Sequence, residues 1–154
     1  MFRLSQKQKI KLINFYPPYI GAGIRVKHVS DDFRRIVVRM KMHWWNKNLF
    51  GTHFGGSLAS MTDPFFVFIL MMNLGKDYII WDKASLIRFR KPGKGTVQCT
   101  FQMSESEIDQ IRSEVQESGK KDFILPVKIL DEKGELVCEL EKTIYVRKKM
   151  TQIK

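Results

Sequence analysis

Residues 97–103, Val-Gln-Cys-Thr-Phe-Gln-Met, interleave apolar and polar side chains without a break. A period of two marks a strand with one face in a core. The same alternation, less strict, recurs over 24–28, 34–42, 79–90, 122–130 and 135–147, so six strands are predicted. Asp31-Asp32 and Asp131-Glu132-Lys133-Gly134 are turn-formers between successive runs and predict two hairpins. Lys91-Pro92-Gly93-Lys94-Gly95 has the composition of a third turn and predicts that 79–90 pairs with 97–103. In the last run Leu136, Cys138, Leu140, Ile144 and Val146 share one parity and Glu139, Glu141 and Arg147 the other, which gives a core face and a solvent or interface face. In the second run Ile36, Val38, Met40 and Met42 oppose Arg35, Val37, Arg39 and Lys41 in the same way.

Three segments break this period. Ser5 is placed to cap a helix to about Phe15, with Ile10 and Ile13 on one face, and Pro17-Pro18 is expected to end it because neither proline donates to the ladder. Ser104-Glu105-Ser106-Glu107 is a capping box, followed at helical spacing by Ile108, Ile111 and Val115 and stopped by Gly119, so 104–119 reads as a helix before the last hairpin. Residues 48–74 form the longest apolar stretch, open on Gly55-Gly56, and hold one charge, Asp63. A helix apolar all round lies in a core or a membrane, and an acid inside it is costly. The stretch Gly55–Leu74 has about the 20 residues a bilayer requires. Asp63 and Pro64 near its middle, where an acid costs about 2.5–3.5 kcal/mol, argue for the core instead, so no membrane span is expected. Pro64 removes the N–H that would bond to Ser60, which predicts a bend beside the acid and a Ser60 carbonyl free for water or a hydroxyl.

Six one-sided strands and one all-apolar helix imply an α+β fold, an antiparallel sheet wrapped around a long central helix. The 154 residues, 44% hydrophobic, suffice for one domain spanning 1–154, with 1–20 as an N-terminal helix and connection and 104–119 as an extra helix. No repeat, low-complexity run or linker marks a second domain. A net charge of +11 attracts polyanions, but no nucleic-acid motif or aromatic row accompanies the basic residues, so no specific nucleic-acid partner is expected. Cys99 and Cys138 occupy apolar positions without metal-ligand spacing and read as buried free thiols, and no metal is expected. The N-terminus lacks the apolar core of a secretory signal, so the expected location is cytoplasmic.

Asn48-x-x-Gly51-Thr52-x-x-Gly55-Gly56, with Asp63 seven residues on, resembles the active-site signature of the hotdog-fold acyl-CoA thioesterases, in which an Asn and a His-Gly-Gly precede a helical Asp. The run Ile87-Arg88-Phe89-Arg90-Lys91-Pro92-Gly93-Lys94-Gly95 looks like that superfamily's strand-turn segment. Asp63-Pro64 and the extra helix look most like a poorly characterised, thioesterase-like branch. The resemblance implies hydrolysis of an acyl-CoA or related thioester by a homodimer or dimer of dimers, with coenzyme A as part of the substrate and no other cofactor. One departure stands out: Phe54 precedes the Gly pair where many relatives carry His, and His53 lies one place earlier. The alternative is a non-catalytic acyl-thioester sensor or scaffold of the same fold.

Thioester hydrolysis needs donors for the developing oxyanion and a nucleophile or base. Unpaired N–H groups of a helix's first turn can supply the donors, Gly56 above all, with Gly55 permitting close approach. Asp63 is the motif's acid, as nucleophile or as base for a water held by Asn48. His53, Phe54, Ser57 and the candidate partner Ser85 would line the substrate site, and Arg88, Arg90 and Lys91 could hold the phosphates of coenzyme A. Each has an ordinary alternative: a buried acid held for specificity, close packing at the glycines, a turn Asn, a loop His. Arg25, Lys27, Arg35, Arg39 and Lys41 read as a solvated outer face, and Trp44-Trp45 as packing beneath the loop in preference to lining an acyl pocket. Gly55 and Asp63 stand eight residues apart, about 12 Å along a straight helix, too far for one carbonyl. An obligate dimer with sites across its twofold axis is therefore expected.

Overall fold

The computed structural model describes residues 5–149. The alternating runs become β1 (Ile24–Val29), β2 (Arg35–Lys41), β3 (Tyr78–Phe89), β4 (Thr96–Gln102), β5 (Lys120–Asp131) and β6 (Leu136–Lys148). They form one sheet in the order β1-β2-β4-β5-β6-β3, every neighbouring pair antiparallel. The hairpins β1–β2 and β5–β6 form as predicted. The expected β3–β4 hairpin does not: β3 pairs with β6, from Tyr78↔Lys148 to Phe89↔Cys138, and β4 lies between β2 and β5. Turn composition reports a change of direction, not which strand comes next. The connection instead crosses the sheet, and the Arg90 and Lys91 N–H groups donate to the Val137 carbonyl at 2.8 and 3.1 Å.

Ser5 caps α1 (Gln6–Lys11) through a capping box with Gln8, and a 3-10 turn carries the chain to Phe15. The first helical run ends at Phe15, as expected ahead of Pro17-Pro18, and the prolines then open α2 (Pro17–Ala22), because a proline in a helix's first turn gives up an N–H that has no partner there. The central stretch divides into α3 (Gly55–Ser60) and α4 (Phe65–Leu74), so Pro64 breaks the helix rather than bending it. The Asp63 N–H donates to the Ser60 carbonyl at 3.2 Å, so that carbonyl is engaged within the chain. Helix α4 buries Phe65, Phe66, Val67, Ile69, Leu70 and Leu74 against β2, β3, β4 and α5 (Glu105–Ser118). The rings of Phe65 and Phe66 each lie 5.1 Å from that of Phe101 on β4. Gly55–Leu74 is long and apolar enough to cross a membrane, and its second half instead fills the space between the sheet and α5.

Helix α5 carries the Ser104/Glu107 capping box and buries Ile108, Ile111 and Val115. Cys99 and Cys138 are buried free thiols, and burial pushes both up, Cys138 to about 12. Trp44 and Trp45, expected beneath the loop, lie on the surface.

Candidate active site

The chain enters α3 through a loop whose polar side chains bind the loop itself. Asn48 Oδ1 accepts from the Phe50 and Thr52 N–H groups at 3.0 and 3.1 Å, and its amide donates to Thr52 Oγ1 at 2.9 Å and the His53 carbonyl at 3.3 Å. These bonds shape the turn and engage both ends of the Asn48 amide. Asn46, unremarked in the sequence, does similar work: buried, it donates to the Ala22 and Lys41 carbonyls, both at 2.8 Å. His53 is buried, with Nε2 3.0 Å from the Gly95 carbonyl and its N–H donating to Gly93 at 2.9 Å. It ties the loop to the 91–95 connection, and Nδ1 is left without a partner. Burial holds the ring's pKa below its ordinary value despite the Gly95 bond.

Phe54 is the N-cap of α3 and supplies no side-chain cap; its carbonyl accepts from Ser57 and Leu58 at 3.0 and 3.1 Å. The N–H groups of Gly55 and Gly56, first in the helix, have no acceptor within it. A Cβ on Gly56 would come within 2.4 Å of the Phe54 ring, and one on Gly55 within 3.1 Å of the Phe89 ring. The glycines therefore let two exposed rings close over the helix start. Two pockets open there, one of about 490 Å³ reaching Gly55, His53 and Arg90, the other of about 470 Å³ reaching Gly56, Phe54, Ser57 and Trp45.

Asp63 is exposed, not buried as an acid in an all-apolar helix would be, because it falls in the break between α3 and α4. It lines a third pocket of about 370 Å³ with Ser60, Asp82, Ser85 and Lys142. Strand β3 brings Asp82 and Ser85 to this pocket by an irregularity. Asp82 stands opposite Ile144 and Ser85 opposite Lys142, with Lys83 taking the extra place between them. Residues three apart in a regular strand face opposite ways, and a bulge of one residue puts both on the inner face.

Lys142 is 3% exposed, at a core-parity position between Leu140 and Ile144. Its Nζ lies 2.5 Å from Asp82 Oδ2, an ion contact off the hydrogen-bond direction, and donates to Ser85 Oγ at 2.6 Å. Burial raises the Asp82 carboxyl above its ordinary value; Lys142 opposes this and the neighbouring Asp63 carboxylate reinforces it. Tyr19 donates its hydroxyl to the Asp63 backbone carbonyl, and burial, with Asp63 nearby, pushes that phenol up. Sequence reasoning missed Lys142 and Asp82. A lysine at core parity in β6 was a signal for the first; the bulge behind the second left none.

The Gly pair and Asp63 line no common pocket, and of the residues around them only Ser60 borders both the Gly56 and the Asp63 openings. Arg88, Arg90 and Lys91 are already paired: Arg88 with Glu141 at 2.7 Å, Arg90 with Glu139, Lys91 with Asp131 at 2.6 Å and with Glu135.

Compared with known families, residues 5–146 match the model described as domain of unknown function DUF4442. The chain belongs to the DUF4442 family. No curated protein matches this DUF4442 chain. Among solved structures it is similar to PA5026 of Pseudomonas aeruginosa, a protein of unknown function described as a probable thioesterase, at TM-score 0.79 and 22% identity over 96% of this chain and 98% of that one. It is also similar to thioesterase HI1161 of Haemophilus influenzae, at TM-score 0.67 and 12% identity over 99% and 97% of the chains. A third is the PaaI protein of the Escherichia coli phenylacetic acid degradation operon, at TM-score 0.60 and 17% identity over 96% and 97%. The DUF4442 chain has the hotdog fold of these proteins.

Proposed function

We propose that this protein hydrolyses an acyl thioester carried by coenzyme A, at a site completed by a second copy of the chain. The observation that carries the reading is the placement of Asp63, an exposed carboxylate held beside Asp82, Ser85 and Lys142 in an open pocket. The names of the fold's neighbours support it. Asp63 either takes a proton from water, which then attacks the thioester carbon, or attacks that carbon itself to give an anhydride that water opens. Both routes release one carboxylic acid and one thiol. Because Lys142 donates to Ser85 Oγ, the Ser85 hydroxyl keeps its own hydrogen for the water or the carboxylate in the pocket. The Gly56 N–H donates to the developing oxyanion, and the space that Gly55 leaves beside it is walled by the Phe89 ring. In a helix of six residues it is these local donors, rather than a long dipole, that would act.

The second reading, a non-catalytic acyl-thioester sensor or scaffold, is favoured by Phe54 over Gly56 and by an Asn48 amide engaged in its own loop. A panel of acyl-CoA thioesters assayed by thiol trapping separates the two. Hydrolysis lowered by about 10²-fold or more in both Asp63→Ala and Asp63→Asn is expected. Unchanged turnover in both variants removes Asp63 from its role, and tight acyl-CoA binding by calorimetry with no turnover establishes the sensor. A reducing compartment such as the cytoplasm fits either reading, since both cysteines are free thiols.

A further inference from the structure

Strands β1 and β2 carry Arg25, Lys27, Arg39 and Lys41, all exposed, at positions alternating with the buried Ile24, Val26, Val38 and Met40. Arg25 and Arg39 stand directly opposite each other in register, and like charges so placed destabilise a sheet. On the other side β2 faces neutral residues of β4, Gln98 opposite Arg39 and Thr96 opposite Lys41. Arg39 Nε donates to Gln98 Oε1 at 2.7 Å, and the Arg25 guanidinium donates to the Asn14 carbonyl. Among the described residues none of the four has a carboxylate partner. The β3–β6 side of the sheet is the contrast, with Lys83, Arg88, Arg90 and Lys91 each paired to an acid. Part of the chain's excess positive charge is thus gathered on this face without compensating acids, at some expense to the fold.

These four cations line a cleft of about 360 Å³ with His43 and Trp45. The His43 and Trp45 rings are stacked, with centroids 4.2 Å apart and planes at 4°, and Trp45 is half exposed. Guanidinium forks and ammonium groups hold phosphate oxygens, and an exposed aromatic face takes a planar base. The volume is within the range of small-molecule sites, about 300–1,000 Å³. Trp45 also borders the neighbouring pocket that reaches Phe54 and Gly56. Trp45 is thus the wall shared by the cleft and the opening at the start of α3.

We propose that the cleft between β1, β2 and Trp45 binds the phosphates and base of a nucleotide. Resting on the thioesterase reading, that nucleotide is the one in coenzyme A, with the acyl arm running past Trp45 toward Gly56.

The test titrates adenosine 3′,5′-bisphosphate into the full chain, followed by calorimetry and tryptophan fluorescence, for wild type, Arg39→Glu, Trp45→Ala and Lys133→Glu. Lys133→Glu makes the same charge change on the exposed β5–β6 turn. Arg39→Glu should weaken binding by about ten-fold or more while Tm holds or rises, because the repulsion with Arg25 becomes attraction. Trp45→Ala should weaken binding and remove the fluorescence change, and Lys133→Glu should leave affinity unchanged. Equal weakening by Arg39→Glu and Lys133→Glu, no weakening by Arg39→Glu, or tighter binding of a single-stranded oligoribonucleotide than of the bisphosphate overturns the proposal. Site-specific bisphosphate binding without thioester turnover keeps the cleft and removes the hydrolase. Turnover of CoA and pantetheine thioesters with equal KM, untouched by Arg39→Glu, does the reverse.

Discussion

Lys142 is the residue on which the Asp63 pocket depends. A buried ammonium is tolerable only with a partner, and Asp82 is that partner, held at 2.5 Å. Lys142→Met leaves Asp82 and Asp63 side by side with no cation between them and the core. A loss of about 3–5 kcal/mol in urea unfolding is expected, as for other buried pairs broken from one side. Lys142→Met combined with Asp82→Leu should recover much of that loss, because the stranded carboxylate goes with it. If Lys142 also positions the reacting groups, the acid limb of the pH–rate profile moves to higher pH in Lys142→Met, since the Asp82 carboxyl loses the charge that favours its ionised form. A merely structural lysine would leave the limb where it is. Both partners are plain letters in the sequence, and Lys142 breaks an otherwise apolar parity; their meeting could not be read because it depends on the extra residue at Lys83.

At the scale of elements, the pattern of the chain carried the strands, both hairpins, the Ser5 and Ser104 caps and the apolar central stretch, each a local matter of period or capping. What it could not carry is long-range: that the 91–95 connection crosses β6 rather than turning back beside β3, and that the Asp63 break leaves the acid open to solvent. His53 shows the same division. Its place before the Gly pair suggested a substrate contact, while its buried ring fastens the loop to Gly95 across 42 residues of sequence. That fastening makes a pH prediction. The folded-state pKa of His53 lies below its ordinary value of about 6.5. As the pH falls through that value, the unfolded chain takes up a proton that the buried ring resists. The contribution is full above about pH 6.5 and is lost as pH falls toward the folded-state value. Urea unfolding at pH 7 and pH 5 should show a larger drop in wild type than in His53→Gln, whose amide can still donate to Gly95 but does not titrate. Equal drops would assign the acid sensitivity to other groups.

For the whole molecule, β3 is the strand that asks for a partner. It is twelve residues long, pairs on one side only with β6, and exposes Trp81, Leu86 and Phe89 at 47%, 50% and 55%. A long apolar edge left open invites another strand. The two halves of the proposed site lie apart along it: the 82–85 stretch at its middle borders Asp63, and Phe89 at its end lies over Gly55. If two β3 edges meet antiparallel about a twofold near Leu86, Asp82 of one copy comes beside the Phe89 end of the other. Asp63 of one chain then approaches the Gly pair of its mate, which the broken α3–α4 segment does not achieve within a chain. Leu86→Lys places two like charges near that axis while leaving the β6 pairing of β3 in place. Sedimentation should show a homodimer for wild type and a shift to monomer for Leu86→Lys. Thioester hydrolysis should fall with the dimer fraction while far-UV circular dichroism is unchanged. A wild-type monomer with full activity, or a monomeric Leu86→Lys as active as wild type, would return the site to a single chain and require one carbonyl to be served by groups that line separate pockets.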